Sequence, residues 1–284
     1  MEELCWCGSG KSYAECHQSI DEKIALFKSK GYEVPDRSLI KTPEQLVGIR
    51  KACDLNTAIL DEVAKHIKVG MSTEEIDRIV YDFTTAHGGI PAPLNYDGFP
   101  KSVCTSVNDQ VCHGVPSEHV ILRSGDIVNV DVSTILDGYY GDASRMFMMG
   151  HVKKDAKDLV GITKECLNRG IQAAQAWNCV GDIGAAIAPY AHKHGYSVVE
   201  EYGGHGVGNE LHEDPFVCHV GKKKTGMLLV PGMIIAIEPM INAGRKEIYW
   251  EDNDDCVYTA DGSLSAQWEH TVLITEDGPE ILSY

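Results

Sequence analysis

Two well-separated stretches of this chain read alike. Gly125-Asp-Ile-Val-Asn-Val-Asp131 aligns with Gly232-Met-Ile-Ile-Ala-Ile-Glu238: a glycine, then Ile and β-branched residues at matching places, then a carboxylate six residues after the glycine. A β-branched run after a turn glycine is a strand. What precedes each strand also repeats. Thr42-Pro43-Glu44-Gln45 is a capping box with proline at the first helical position, and Leu46, Ile49, Cys53, Ile59, Leu60 and Val63 continue it as one apolar stripe. Val69-Gly70 ends that helix, a second box at Ser72–Glu75 opens the next, and His87-Gly88 closes it. In the second half a helix over about 154–176 is followed by Val180-Gly181, by Asp182 as the next N-cap, and by a short helix ending at His194-Gly195. Two half-domains that each end a strand in a carboxylate predict a pseudo-two-fold α+β fold, with acids meeting between the halves.

A second pair of acids lies within one hairpin. Asp137-Gly138 is a type I′ turn signal between two β-rich runs. A two-residue loop there sets Leu136 against Tyr139 and Ser133 against Asp142, so Asp131 and Asp142 become diagonal neighbours on one face. Diagonal positions lie roughly 7–8 Å apart along the backbone and less at the side chains. Carboxylates so placed repel unless cations lie between them, and two metals about 3.5–4 Å apart fit the gap. The alternative is a pair of solvated acids, but Asp131 sits between Val130 and Val132 in an apolar strand. Glu238 stands between Ile237 and Pro239, and Glu269 lies in the strand-like Ser265-Ala-Gln-Trp-Glu269-His-Thr-Val. His205, in Gly203-Gly-His-Gly-Val-Gly208, is flanked by glycines that let the backbone approach a site closely.

Composition narrows the partners. The 284 residues carry a net charge of −17, which disfavours nucleic acid and anionic membranes; Lys222–Lys224 is the one basic run and reads as a solvated loop. No apolar run approaches the roughly 18 residues of a spanning helix, and the first residues lack the basic and apolar regions of a secretory signal. The ten cysteines show no disulfide spacing outside the first 16 residues, which points to reduced thiols and a cytoplasmic setting. Within that segment Cys5, Cys7, Cys16 and His17 form a four-ligand set suited to one structural zinc ion, which would supply most of the folding energy of so short a piece. It resembles the SEC-C zinc module, an interaction element in that family, and ribosome docking is an expectation from it. Residues 1–18 are read as this module, 19–41 as a linker and 42–284 as the catalytic body.

Taken together, Val111-Cys-His-Gly-Val-Pro116, Asp131 and Asp142 eleven apart, Gly203-Gly-His-Gly-Val-Gly208, Glu238-Pro-Met and Ser265-Ala-Gln-Trp-Glu269-His resemble type I methionine aminopeptidases of the pita-bread fold, over about residues 42–284. The resemblance implies removal of the first methionine from nascent polypeptides when the second residue is small. It maps five ligands of two divalent ions (Co, Mn, Fe or Zn) onto Asp131, Asp142, His205, Glu238 and Glu269, with Asp142 and Glu269 bridging. It gives Glu238 the water's proton, His212 the oxyanion and His113 the substrate backbone. Tyr96, Phe99, Cys104 and Leu211, with His113 and His212, would line the methionine pocket. Asn108, Gln110 and Ser265 match a sodium or potassium site in relatives. Pro93 and Asp255 depart from the family's frequent cysteine and tryptophan. Two other readings remain at this stage: an X-Pro aminopeptidase or prolidase of the same fold, and a non-catalytic binding protein acting through the zinc module.

Overall fold

A computed structural model describes residues 3–250 and 255–284. The first two residues of the expected module, and residues 251–254 of the body, lie outside them. After α1 (Gln18–Ser29), the first half runs α2 (Pro43–His66), α3 (Thr73–Ala86), β1 (Ile90–Pro91), β2 (Cys104–Val107), β3 (Gln110–Cys112), β4 (Ile127–Leu136) and β5 (Tyr139–Met148). The second half runs α4 (Lys154–Ala173), α5 (Val180–Lys193), β6 (Ser197–Val198), β7 (Gly204–Gly206), β8 (Glu213–Val217), β9 (Ile234–Ile237) and β10 (Met240–Asn242). β11 (Ile248–Tyr249), β12 (Val257–Thr259), β13 (Ser265–Gln267), β14 (Glu269–Thr275) and β15 (Gly278–Ser283) complete the chain.

The repeat seen in the sequence is a structural repeat. β4 and β9 each begin two residues after a glycine with positive φ, +108° at Gly125 and +95° at Gly232. Each half lays its helix pair on one face of a nine-stranded antiparallel sheet, in the order β1-β4-β5-β14-β9-β7-β8, with β2 on β4 and β15 on β14. Val128, Val130 and Val132 of β4 pack with Ile59, Leu60, Ile76 and Val80 of α2 and α3. Ile235 and Ile237 of β9 pack with Leu167, Ile171, Ile183 and Ile187 of α4 and α5. Because side chains alternate along a strand, Asp131 and Ser133 project to the face the helices leave open.

Local chemistry explains the elements. Both predicted capping boxes close: Thr42 and Ser72 each accept the N3 backbone N–H, while Gln45 and Glu75 reach back to the cap N–H at 2.8 and 2.7 Å. The third helix start differs from expectation. Cys179 is the N-cap of α5 and Asp182 stands at N3, its carboxylate accepting from Cys179 N at 2.9 Å. The shift follows from Gly181, where a Cβ would lie 2.4 Å from Lys222 O; the glycine lets the first turn of α5 dock on the 222–225 loop. α4 stops at Ala173, earlier than the periodicity predicts, because the Asn178 side chain donates to Ala173 O and Trp177 turns the chain at φ +72°.

The segment expected to be a linker carries α1 and is docked. Ile20, Ile24 and Phe27 pack against the second half's core, Phe27 stacks on Trp177 with ring centroids 6.0 Å apart, and Lys23 lies 3.9 Å over the same indole. The stripe is short and α1 buries no residue fully, which is why its periodicity reads weakly.

Helix and sheet backbones meet closely at Gly141 of β5, where a Cβ would sit 2.6 Å from the backbone carbon of Ala52 in α2. Gly141→Ala is therefore expected to lower stability by about 1–3 kcal/mol through overpacking. Urea denaturation checks this, and a change under about 0.5 kcal/mol would mean that α2 shifts freely.

Candidate active site

Five neighbouring strands of the sheet each bring one candidate group to its open face. In spatial order, β4 carries Asp131, β5 Asp142, β14 Glu269, the end of β9 Glu238, and β7 His205. The hairpin register is the one predicted: Leu136 faces Tyr139 and Ser133 faces Asp142 across a turn with φ +52° at Asp137 and +83° at Gly138. Asp131 and Glu269 both pair with Ser144, so their carboxyls share a row. His270 pairs with Ile237, which sets Glu269 against Glu238 at the end of β9. The glycines around His205 are required by close backbones: a Cβ at Gly204 would lie 2.1 Å from Ala236 O, and one at Gly206 2.1 Å from Asp214 O.

The electrostatics of this cluster ask for cations. Burial, and then repulsion from neighbouring carboxylates, pushes Asp142, Glu238 and Glu269 well above the usual carboxylate range. Burial takes Asp131 up to about 7, against a lowering by Glu269. Burial lowers His205 to about 4, so its ring is neutral. Its Nδ1–H donates to Gly206 O at 2.9 Å, which leaves the Nε2 lone pair 3.5 Å from Glu238 Oε1 and 3.7 Å from Asp142 Oδ2. Glu269 Oε2 is buried with no hydrogen-bond partner. Acceptors thus face acceptors, and donor atoms of Asp142, His205 and Glu269 lie within 4.8 Å of one another. The donor set fits divalent metal ions. Outer partners orient it: Ser133 Oγ donates to Asp142 Oδ1 at 2.9 Å, and Gln267 Nε2 to Glu238 Oε2 at 2.9 Å.

A cavity of about 920 Å³ opens onto these groups, and Tyr96, Phe99, Cys104, His113, Leu211 and His212 all line it. Cys104 pairs with Asp131 and so shares its face. Tyr96 is thrust out by a tight turn in which Asn95, Asp97 and Gly98 have positive φ. Its hydroxyl meets His212 Nδ1 at 2.8 Å, and the His212 ring packs edge-on against His205 with centroids 4.5 Å apart. His113 is held at φ +56°, an uncommon conformation of the kind that collects at functional sites. Pro93 and Asp255 also line the cavity; Trp250 lies on the rim and is 61% exposed. Tyr202, Met240 and Gln267, which sequence reasoning did not single out, also belong to the site or its support.

Of the monovalent-ion candidates, Ser265 N donates to Asn108 O at 2.8 Å. The Asn108 side chain is engaged by Asp126 and Ile127, and Gln110 Oε1 accepts from Val107 N. At the other end of the chain, Cys5, Cys7, Cys16 and His17 converge within 4.8 Å. Cys7 and Cys16 Sγ lie 3.6 Å apart, and His17 Nδ1 is 3.1 and 3.2 Å from Cys5 and Cys16 Sγ, close to the roughly 3.8 Å edges of a zinc tetrahedron with 2.3 Å bonds. Burial raises the Cys7 thiol, but hydrogen bonding from Ser9, Cys5 and Cys16 brings it down to about 7, toward the thiolate a metal needs.

Residues 47–276 match the model of metallopeptidase family M24. The chain belongs to that family. Residues 3–19 match the SEC-C motif. A methionine aminopeptidase of Chlamydia trachomatis serovar D is 42% identical over 98% of this chain and 97% of its own length. The crystal structure of methionine aminopeptidase from Rickettsia prowazekii superposes with a TM-score of 0.84 at 45% identity, covering 86% of this chain and 99% of the other. The prolidase from Pyrococcus horikoshii superposes at 0.67 with 23% identity and is matched over only 63% of its length, a likeness of fold alone. The chain therefore has the α+β pita-bread architecture of the M24 metallopeptidases. No helix among the described residues is long and apolar enough to cross a membrane.

Proposed function

We propose that this M24 metallopeptidase is a methionine aminopeptidase, removing the N-terminal methionine from new polypeptides by hydrolysis of the first peptide bond. Its place of action is the cytoplasm. The observation that carries the reading is the convergence of Asp131, Asp142, Glu269, Glu238 and His205 from five adjacent strands on a cavity lined by aromatic and apolar side chains. These five residues would hold two divalent ions, with Asp142 and Glu269 shared between them. Four carboxylates and one imidazole suit Mn, Fe(II), Co or Zn. When bound, such a pair supplies Lewis acidity and a water of lowered pKa.

The chain's own groups do the rest. Gln267 engages Glu238 Oε2, so Oε1 is the oxygen that faces the cluster and accepts the water's proton. His212 offers Nε2–H to the oxygen of the tetrahedral intermediate when Tyr96 donates to Nδ1. His113 steadies the substrate backbone, its ring held edge-on by Tyr202 at 5.4 Å. The methionine side chain occupies the pocket of Tyr96, Phe99, Cys104 and Leu211. A sodium or potassium ion near Asn108, Gln110 and Ser265 is part of this reading.

Turnover of Met-Ala-Ser against an X-Pro peptide, with Mn(II) or Co(II) added to chelated protein, tests the proposal. Metal-dependent release of methionine is the expected result; preference for the X-Pro peptide would overturn the substrate, and no turnover with either would overturn the activity.

Residues 1–18 form a separate zinc module on this reading, with the ribosome as its candidate partner and residues 42–284 as the catalytic domain. Deleting residues 1–18 is expected to leave kcat/KM on short peptides within about threefold, while one equivalent of zinc disappears from the metal content. A collapse of short-peptide turnover would tie the module to catalysis.

A further inference from the structure

His219 is the most completely buried imidazole in the second half and belongs to none of the groups assigned above. It follows β8 and has no exposed surface. Its Nε2 accepts the backbone N–H of Glu238 at 3.1 Å. β9 ends at Ile237, one residue earlier, so the Glu238 amide has left the strand, and a buried N–H without an acceptor is costly. The imidazole supplies that acceptor at Nε2, and its own ring proton then sits on Nδ1, a buried atom that has no hydrogen-bond partner. Glu238 is thereby gripped twice: at its amide by His219, and at one carboxylate oxygen by Gln267. The remaining oxygen is the one turned toward His205.

We propose that His219 is a positioning residue for Glu238: its Nε2 fixes the backbone from which the carboxylate is aimed into the metal cluster. This rests on the reading of Glu238 as metal ligand and proton acceptor. His219 touches neither substrate nor the reacting atoms; it acts through the residue it holds. A group at this remove from a metal is worth roughly 10- to 100-fold in affinity or activity. Filling the space is not sufficient on this account, because the contact is made by an acceptor atom.

The test compares H219Q, which keeps an acceptor on a side chain of similar reach, with H219L, which fills the volume without one. Each full-length variant is assayed for kcat and KM on Met-Ala-Ser, and chelated protein is titrated with Mn(II) by calorimetry. H219L is expected to lower kcat by roughly 10- to 100-fold with KM little changed, and to weaken Mn(II) binding; H219Q is expected to recover most of both. An H219L within threefold of the parent, or an H219Q as impaired as H219L, overturns the inference. If H219L does not fold, H219V, which also lacks an acceptor, provides the same contrast. The unaltered protein in the same assay separates the two levels. If it releases no methionine with any metal, the functional reading fails; if it is active and H219L matches it, only the role of His219 fails.

Discussion

Asp142→Asn is expected to abolish peptidase activity, by about 1000-fold or more in kcat, while leaving the protein folded. Asp142 stands on β5 between Asp131 and Glu269, with Oδ1 held by Ser133 and Oδ2 3.7 Å from His205 Nε2. Asparagine keeps the shape and one acceptor, yet removes the negative charge that would be shared between two cations. A thousandfold loss corresponds to about 4 kcal/mol of transition-state stabilisation, in scale with removing a shared ligand from a two-metal site. The fold should survive for an electrostatic reason. Without metal, Asp142, Glu238 and Glu269 are buried beside the half-buried Asp131, and repulsion from Asp131 and Asp142 adds to the cost of ionising their neighbours. Neutralising one relieves that strain, so chelated Asp142→Asn protein should melt no lower than chelated parent protein. Metal should then stabilise the parent more than the variant, because binding to the native state adds stability that grows with the logarithm of the affinity. Retained turnover at saturating Mn(II) would refute the role of Asp142, and a large fall in the melting temperature of the chelated variant would refute the electrostatic account.

What the sequence makes legible here is whatever is encoded at short range or by repetition. The Asp137-Gly138 turn sets the register of β4 and β5, and the register alone puts Asp131 and Asp142 on one face. The matching glycines at 125 and 232 announce the two strands that deliver Asp131 and Glu238. Contacts that depend on tertiary approach leave no such trace. Nothing around His219 marks it as the acceptor for an amide nineteen residues later, and Tyr96 is joined to His212 only because a run of left-handed residues turns it back over the cavity. The start of α5 was misplaced because the decisive constraint on Gly181 is the 222–225 loop, far along the chain. The docking of α1 was missed because its partner is an indole in the other half, not a feature of α1.

That tertiary link between Tyr96 and His212 has a consequence of its own. His212→Ala is expected to lower kcat by roughly 100- to 1000-fold, with KM changed much less, because the lost donor serves the developing oxyanion rather than the bound peptide. His212 has its pKa lowered by burial, so it is neutral near pH 7 and one ring nitrogen must act as an acceptor. Tyr96 decides which. A hydroxyl donating to Nδ1 places the proton on Nε2, the nitrogen free to serve the substrate. Tyr96→Phe removes that bias while leaving the aromatic face, and should cost about tenfold in kcat, in the range seen for groups that orient a functional imidazole. The double variant tests the coupling. If Tyr96 acts through His212, Tyr96→Phe should cost almost nothing further once His212 is alanine, since the nitrogen it oriented is gone. Additive losses would mean that Tyr96 serves the methionine pocket independently, and an unchanged kcat in His212→Ala would remove the histidine from the chemistry.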